Sequence, residues 1–252
     1  MEAYQVSDIQ WLRLFTYVFL STVVLGNITT FIRARFQLRD GYSRKMNHVG
    51  IMILAAPTLA FLPEHQLLPS MFIASCLVNG IYIISAMSTK PLIYGIVSGS
   101  YRYRDEPRKE FFFFFPVLSF SCALLLTALN YPIEVVRVAF FTVAIADGFA
   151  EPIGLKLGKN NTYKVRDFFW NDKNTKSVAG TFSVFLFSFL VAFSLLSFSV
   201  GASPTLALAA FIYGLLIAVV ENFSPRAMDN MIIMFVSPPL LVAIMTMFSL
   251  TG

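Results

Sequence analysis

AIADGFAEPIG, residues 144–154, sets two carboxylates inside an apolar run that continues upstream as VRVAFFTV, residues 136–143. Asp147 and Glu151 stand four residues apart, so a helix puts them on one face. Either this stretch lies outside a membrane or the acids have work within one. Composition decides. The 252 residues are 57% hydrophobic and 13% charged, with a mean hydropathy of +0.70, whereas soluble domains are about a quarter charged. The chain reads as an integral membrane protein of all-α class, a polytopic helical bundle forming a single catalytic domain over 1–252.

Spans of roughly 20 apolar residues cross a hydrocarbon core. On that ruler eight transmembrane helices are expected, at about 9–32, 46–63, 67–87, 111–131, 134–155, 178–199, 204–221 and 230–250. The connections alternate in charge. Loop 33–45 holds Arg33, Arg35, Arg39, Arg44 and Lys45. Loop 88–110 holds Lys90, Arg102, Arg104, Arg108 and Lys109. Loop 156–177 holds Lys156, Lys159, Lys164, Arg166, Lys173 and Lys176, and Arg226 follows the seventh span. These are 17 of the 19 basic residues, while the intervening PEHQ, NYP and SVGASP have none. Positive-inside bias puts the four basic connections in the cytoplasm and both termini on the opposite side.

The same distribution excludes nucleic acid as a partner. The net charge of +5 and pI near 9.2 report topology, because no large soluble face carries the charge. Cys76 and Cys122 lie in apolar runs without metal spacing and read as packing residues. The N-terminal MEAYQVSDIQW, with Glu2 and Asp8, lacks a basic leader, so the first apolar run is expected to remain as a span. FFFFF, residues 111–115, reads as the entry of the fourth span. Sequons at Asn27, Asn160 and Asn222 fall in a span or in cytoplasmic connections and are expected to stay unmodified.

An ionised Asp in a lipid-exposed helix centre costs about 2.5–3.5 kcal/mol on insertion scales, so an intramembrane acid marks a functional-site hypothesis facing protein or water. Around Asp147 and Glu151 stand Gly148, Pro152, Gly154 and Gly158. Pro152 removes a helical hydrogen bond, and Gly154 with Gly158 forms a GxxxG packing spacing. Together they predict a helix broken near 147–158, opening backbone to a polar substrate.

Three further clusters belong to the same side. SRKMNH supplies Arg44, Lys45 and His48; NDKNTKSVAG supplies Lys173, Lys176 and Ser177; ENFSPRAMDN supplies Glu221, Asp229 and Asn230. Ser177 is expected to cap the sixth span, so that amides, a hydroxyl and two ammonium groups converge there. Carboxylates able to hold Mg²⁺, with cations and helix amides able to hold phosphates, describe a magnesium-nucleotide site at the cytoplasmic face. There is no GxxxxGK[ST] run, which excludes a P-loop.

These motifs resemble a membrane family that includes phytol kinase, dolichol kinase and the yeast-type CTP-dependent diacylglycerol kinase. ADGFAEPIGLKLG is similar to its GDxxAxxxGxxxG signature, NTKSVAGT to its KSxxG motif, SRKMNH to its RKxxH motif and ENFSPRAMDN to its late E…DN motif. The matches run in the family's order from Arg44 to Asn230. The resemblance implies family-type functional positions at Arg44, Lys45, His48, Asp147, Gly154, Gly158, Lys176, Ser177, Gly180, Glu221, Asp229 and Asn230. Ala146 stands where the family usually has Gly, Met228 where it often has Asp, and Glu151-Pro152 is an uncommon filling.

The activity so implied is CTP-dependent phosphorylation of a membrane lipid alcohol, of phytol, farnesol or dolichol type or diacylglycerol. Phosphoryl transfer asks the protein mainly for positioning, Mg²⁺ and cations around the phosphates. Asp147 and Lys176 are the expected catalytic pair, with Asp147 a metal ligand or the base for the acceptor hydroxyl. Asp147, Glu151, Glu221 and Asp229 are the candidate metal ligands. Nucleotide contacts are expected from Arg44, Lys45, His48, Gly154, Gly158, Lys173, Lys176, Ser177, Gly180 and Asn230. Two rival readings remain: a phosphatidate cytidylyltransferase, whose C-terminal signature is absent, and a cation- or proton-coupled transporter, for which the clusters would line a path across the membrane.

Overall fold

The computed structural model describes residues 8–61 and 64–250. Glu2 and the end of the expected 46–63 span lie outside these residues. Two compact units divide the chain, Met1–Tyr103 and Arg104–Gly252. Six helices are long and apolar enough to cross a membrane: Leu12–Phe36, His65–Ala86, Lys109–Asn130, Val178–Val200, Pro204–Phe223 and Asp229–Met247. The protein is therefore an all-α, multi-pass membrane protein. Its exposed apolar side chains, among them Phe31, Ile84, Phe182 and Phe198, suit lipid in a way they would not suit water.

In the first unit α1 (Asp8–Phe36) packs against α2 (Asp40–Phe61), α3 (Glu64–Ala86) and the short α4 (Pro91–Ser98). At 29 residues, α1 is about 43 Å long and exceeds a hydrocarbon core of about 30 Å. Gly26 lets it press on α4, since a Cβ there would lie 2.3 Å from the carbonyl oxygen of Ile96. Thr30 Oγ1 donates to the Gly95 carbonyl (2.5 Å) and accepts from the Gly99 amide (2.8 Å). Arg33 donates to the carbonyls of Gly99 (3.1 Å) and Tyr101 (2.6 Å), satisfying the carboxyl end of α4. The 33–45 connection is thus mostly helix. Only residues 37–39 separate α1 from α2, with Gln37 at φ 49.

In the second unit α5 (Lys109–Asn130) leads to α6 (Ile133–Phe141), a π-helical turn (Thr142–Asp147) and α7 (Gly148–Leu157). A hairpin of β1 (Thr162–Asp167) and β2 (Asp172–Ser177) precedes α8 (Val178–Val200), α9 (Pro204–Phe223) and α10 (Asp229–Met247). Helix α8 packs on α6, α7 and α9, and α10 on α5, α6 and α9. Val136, Ala139, Val143, Val184, Ile217 and Met234 form a core with essentially no exposure. A buried hydroxyl set runs through it: Tyr213 Oη lies 2.9 Å from Thr142 Oγ1 and 2.5 Å from Ser237 Oγ, so these polar groups satisfy one another.

Several expectations change here. The 46–63 and 134–155 segments are helical but fall outside the six apolar spans. The first half of α2 carries Asp40, Arg44, Lys45 and His48, and the 134–155 run is divided by the π turn into α6 of 9 residues and α7 of 10. The helix is not broken over 147–158 either. It continues through Pro152, and the departure from α geometry lies one turn earlier, at Thr142–Asp147. The 156–177 connection is a β-hairpin, and 88–110 contains α4. Cys76 and Cys122 are exposed on their helices instead of packed inside; in a membrane span such weakly polar side chains can face lipid. FFFFF does enter α5, with Phe111 and Phe112 against Trp170 of the hairpin turn.

Candidate functional site

Strand β1 alternates Thr162, Lys164 and Arg166 outward with Tyr163, Val165 and Asp167 inward, the period-2 pattern of a half-buried strand. Antiparallel register pairs Tyr163 with Lys176 and Thr162 with Ser177. Cross-strand partners share a face, and this face meets the carboxyl end of α9. Lys176 Nζ donates to the Glu221 carbonyl (2.5 Å) and to Glu221 Oε1 (2.7 Å). Tyr163 Oη donates to Asn222 Oδ1 (2.7 Å). One register pair thus holds two consecutive residues of α9. An ammonium group at a helix carboxyl end also complements the helix dipole.

Two more acids join Glu221. The carboxylates of Asp147, at the end of the π turn, and of Asp229, at the start of α10, both act electrostatically on that of Glu221. Asp147 is 2% exposed. Residues up to 82 positions apart in the chain therefore form one charged cluster of three acids and Lys176, all within the second unit. π-Helical turns recur at functional sites because they re-aim a side chain inside an otherwise regular helix, and this one ends on Asp147. Glu151 is half-buried one turn further along α7, and Asn230 Oδ1 is buried without a hydrogen-bond partner among the described residues.

Ser177 caps α8, as its position suggests: its side chain accepts from the Gly180 amide (3.1 Å). The Val178 amide donates to the Asn161 carbonyl (3.0 Å). Two of the first-turn donors expected to face phosphate are thus already used within the fold. The glycines of the GxxxG and KSxxG motifs have a packing role. A Cβ on Gly158 would lie 2.4 Å from Ser177 Oγ, one on Gly154 2.7 Å from it, and one on Gly180 3.1 Å from the Ala150 carbonyl. They let α7 and the amino end of α8 touch backbone to backbone.

Lys173 is exposed on the outer face of β2, opposite Arg166. Arg44, Lys45 and His48 lie on the first turns of α2 in the other unit, where Lys45 is buried and the other two half-buried. Among the described residues no group of three His, Cys, Asp or Glu side chains forms a ready-made metal cage.

Sequence reasoning missed a second cluster that fixes the hairpin turn. Asp167 accepts from the amides of Phe169 and Trp170 (both 3.1 Å), from Asn174 Nδ2 (2.9 Å) and from the Arg226 amide (2.8 Å). Burial pushes its carboxyl up, but these hydrogen bonds outweigh it and hold the group below its usual value. Trp170 Nε1 donates to the Arg226 carbonyl (2.9 Å), and Arg226 pairs with Asp105 and lies over the Phe112 ring. It also missed an apolar groove of about 450 Å³ between α8 and α9, which opens beside Tyr163 and Asn222. The sequon at Asn222 is a visible sign of this polar position, but its partners lie far off in the chain. No family model, no curated protein and no solved structure matches this chain.

Proposed function

We propose that the protein is a lipid-alcohol kinase that uses CTP and Mg²⁺, with its site at the cytoplasmic end of the second unit and the termini on the opposite side. The observation that supports this most directly is the convergence of Asp147, Lys176, Glu221 and Asp229 beside the membrane-facing helices α8 and α9. Oxygen donors of this kind suit a hard cation, which usually takes one or two carboxylates and completes its shell with phosphate oxygens and water. Asp147 and Asp229 would hold Mg²⁺, because Glu221 is already engaged by Lys176. The ion would supply charge neutralisation for the phosphates.

In the reaction the acceptor hydroxyl attacks the γ-phosphorus, a new O–P bond forms, the bond to the β-phosphate bridging oxygen breaks, and CDP leaves. The hydroxyl proton passes to Asp147, buried at the end of its π turn. Lys176 spends two donors on Glu221, leaving one N–H for a phosphate oxygen. Gly154, Gly158, Gly180 and Ser177 fix the α7–α8 contact that holds Asp147 and Lys176 in one place. Arg44, Lys45 and His48 belong to the first unit, and this reading does not draw on them.

The test uses purified full-length protein in lipid nanodiscs with Mg²⁺ and CTP labelled at the γ or the α phosphate. The lipids offered are phytol, farnesol, a dolichol, diacylglycerol and phosphatidate. Label reaching lipid from the γ position is expected. Label from the α position alone would overturn the reading in favour of cytidylyl transfer, and no label from either would overturn it in favour of a transporter.

A further inference from the structure

The groove between α8 and α9 has an uncommon pairing of features. Its wall is hydrocarbon, including Phe182, Phe211 and Leu215, and its head is polar, formed by Tyr163, Thr181 and Asn222. At about 450 Å³ it falls within the ~300–1,000 Å³ of small-molecule sites. Phe182, Phe211 and Leu215 are each about half exposed in the protein, so the groove is open along the lipid-facing side of the helices. A bilayer component enters it without leaving the membrane.

The head of the groove has a defined donor order. Tyr163 has a single hydroxyl proton, which goes to Asn222 Oδ1; the 2.5 Å contact with Thr181 Oγ1 must then be made by the threonine proton. Asn222 Nδ2 is left without a hydrogen-bond partner among the described residues. An amide donor at the end of an apolar groove calls for an oxygen acceptor. No lining residue is charged, so the matching headgroup is neutral. An anionic phosphate head would find no cation within the groove itself.

Geometry sets the tail. Helices α8 and α9 come together at Gly214, where a Cβ would lie 2.7 Å from the Phe185 carbonyl oxygen. From Phe211 to Asn222 the groove follows eleven residues of α9, about 16 Å at 1.5 Å per residue. A single furrow between one helix pair takes one hydrocarbon chain, the remainder of which continues into the bilayer. The headgroup end lies beside Glu221, the neighbour of Asn222 and the residue that Lys176 holds. We infer that the α8–α9 groove binds the single apolar chain of a neutral lipid alcohol, with Asn222 donating to the alcohol oxygen and presenting it toward the charged cluster. This assignment rests on the kinase reading for its identification of the occupant as the acceptor.

Photolabelling tests it without turnover. Full-length protein in phosphatidylcholine nanodiscs receives a long-chain primary alcohol bearing a diazirine in its chain, or phosphatidylcholine or phosphatidate bearing the same group. The alcohol probe is expected to label α8 and α9 within the groove, and excess plain alcohol should compete it away. Leu215→Trp and Val219→Trp, both at half-exposed positions, should each cut labelling at least fivefold without moving the thermal unfolding midpoint. Asn222→Leu should raise the KM for alcohol about tenfold with the KM for CTP unchanged. Labelling by all three probes alike, or labelling that plain alcohol does not displace, would overturn the inference and leave the groove as a seat for bulk lipid. If γ-phosphate transfer occurs while the groove stays unlabelled, this inference falls and the kinase reading stands. If the groove labels specifically in a protein without transfer activity, the kinase reading falls and the groove stands as a lipid-alcohol site.

Discussion

Lys176 Nζ bridges the backbone carbonyl and the carboxylate of Glu221, at 2.5 and 2.7 Å, across 45 positions of sequence. The pair is mostly shielded, with side-chain exposures of 16% and 11%. Removing one member leaves a charge without its partner, which costs about 2–4 kcal/mol after allowance for the residual exposure. Lys176→Met should therefore lower the thermal unfolding midpoint in detergent, and Glu221→Met should lower it as well. The double variant should recover much of the loss, because two apolar chains of similar size leave nothing uncompensated. Transfer activity should be absent in all three. A double variant as unstable as the sum of the singles would show that the pair does not act as a unit.

The contact between Gly158 and Ser177 gives a steric prediction. A Cβ at 158 would approach both Cβ and Oγ of Ser177 to 2.4 Å, and neither is the free end of a long side chain. Gly158→Ala should destabilise by about 1–3 kcal/mol through overpacking. Ser177→Ala should lose the cap of α8, at about 1 kcal/mol. Combining the two should cost less than their sum, since removing Oγ relieves part of the clash. Equilibrium unfolding of the three variants measures this coupling, and strict additivity would count against the contact.

How far the sequence foretells this site depends on the kind of order each part has. Six spans are readable because each is a contiguous apolar run whose length alone carries the information. The cap at Ser177 is readable from local chemistry. The hairpin is harder to see, although TYKVRD alternates and Asn171 occupies the left-handed region that asparagine tolerates (φ 50); its lysines and arginines look like the marks of a loop. Asp167 and Arg226 escape notice because their meaning lies in each other, 59 positions apart. The distortion near Asp147 is foreshadowed by Pro152, which points a turn too late: the proline stays inside α7 and the extra residue is absorbed upstream.

The hairpin turn should respond to acid. Asp167 is held below its ordinary range by four hydrogen bonds, so its carboxylate form is favoured in the folded state. A depressed carboxyl contributes stability that is fully present above the unfolded value, near 3.9. That contribution fades as pH falls through the lower folded value. Hydrogen exchange of the Phe169, Trp170 and Arg226 amides should hold steady from neutral pH down to about 4 and rise below it, after correction for intrinsic rates. Asp167→Asn should expose the same amides at neutral pH and remove the acid response. Protection in wild type that is unaltered below about pH 3 would contradict the assignment.

Asp147 offers a prediction in which stability and activity move in opposite directions. Its carboxylate is buried, and it shares the field of Glu221 with Asp229. Three acids facing a single lysine repel one another, so without a cation the cluster is a local cost to the fold. Asp147→Asn keeps the shape and removes one negative charge. The variant should therefore be at least as stable as wild type in the absence of Mg²⁺ and CTP, with unchanged membrane insertion. Transfer of the γ-phosphate should fall about 10²–10⁴-fold, the range for loss of a positioned general base. Added Mg²⁺ with a non-hydrolysable CTP analogue should raise the unfolding midpoint of wild type, because ligand binds only the folded state. The same addition should raise that of Asp147→Asn far less. A variant that remains active, or that gains the full ligand-induced shift, would remove Asp147 from the centre of the site and return its π turn to a purely structural role.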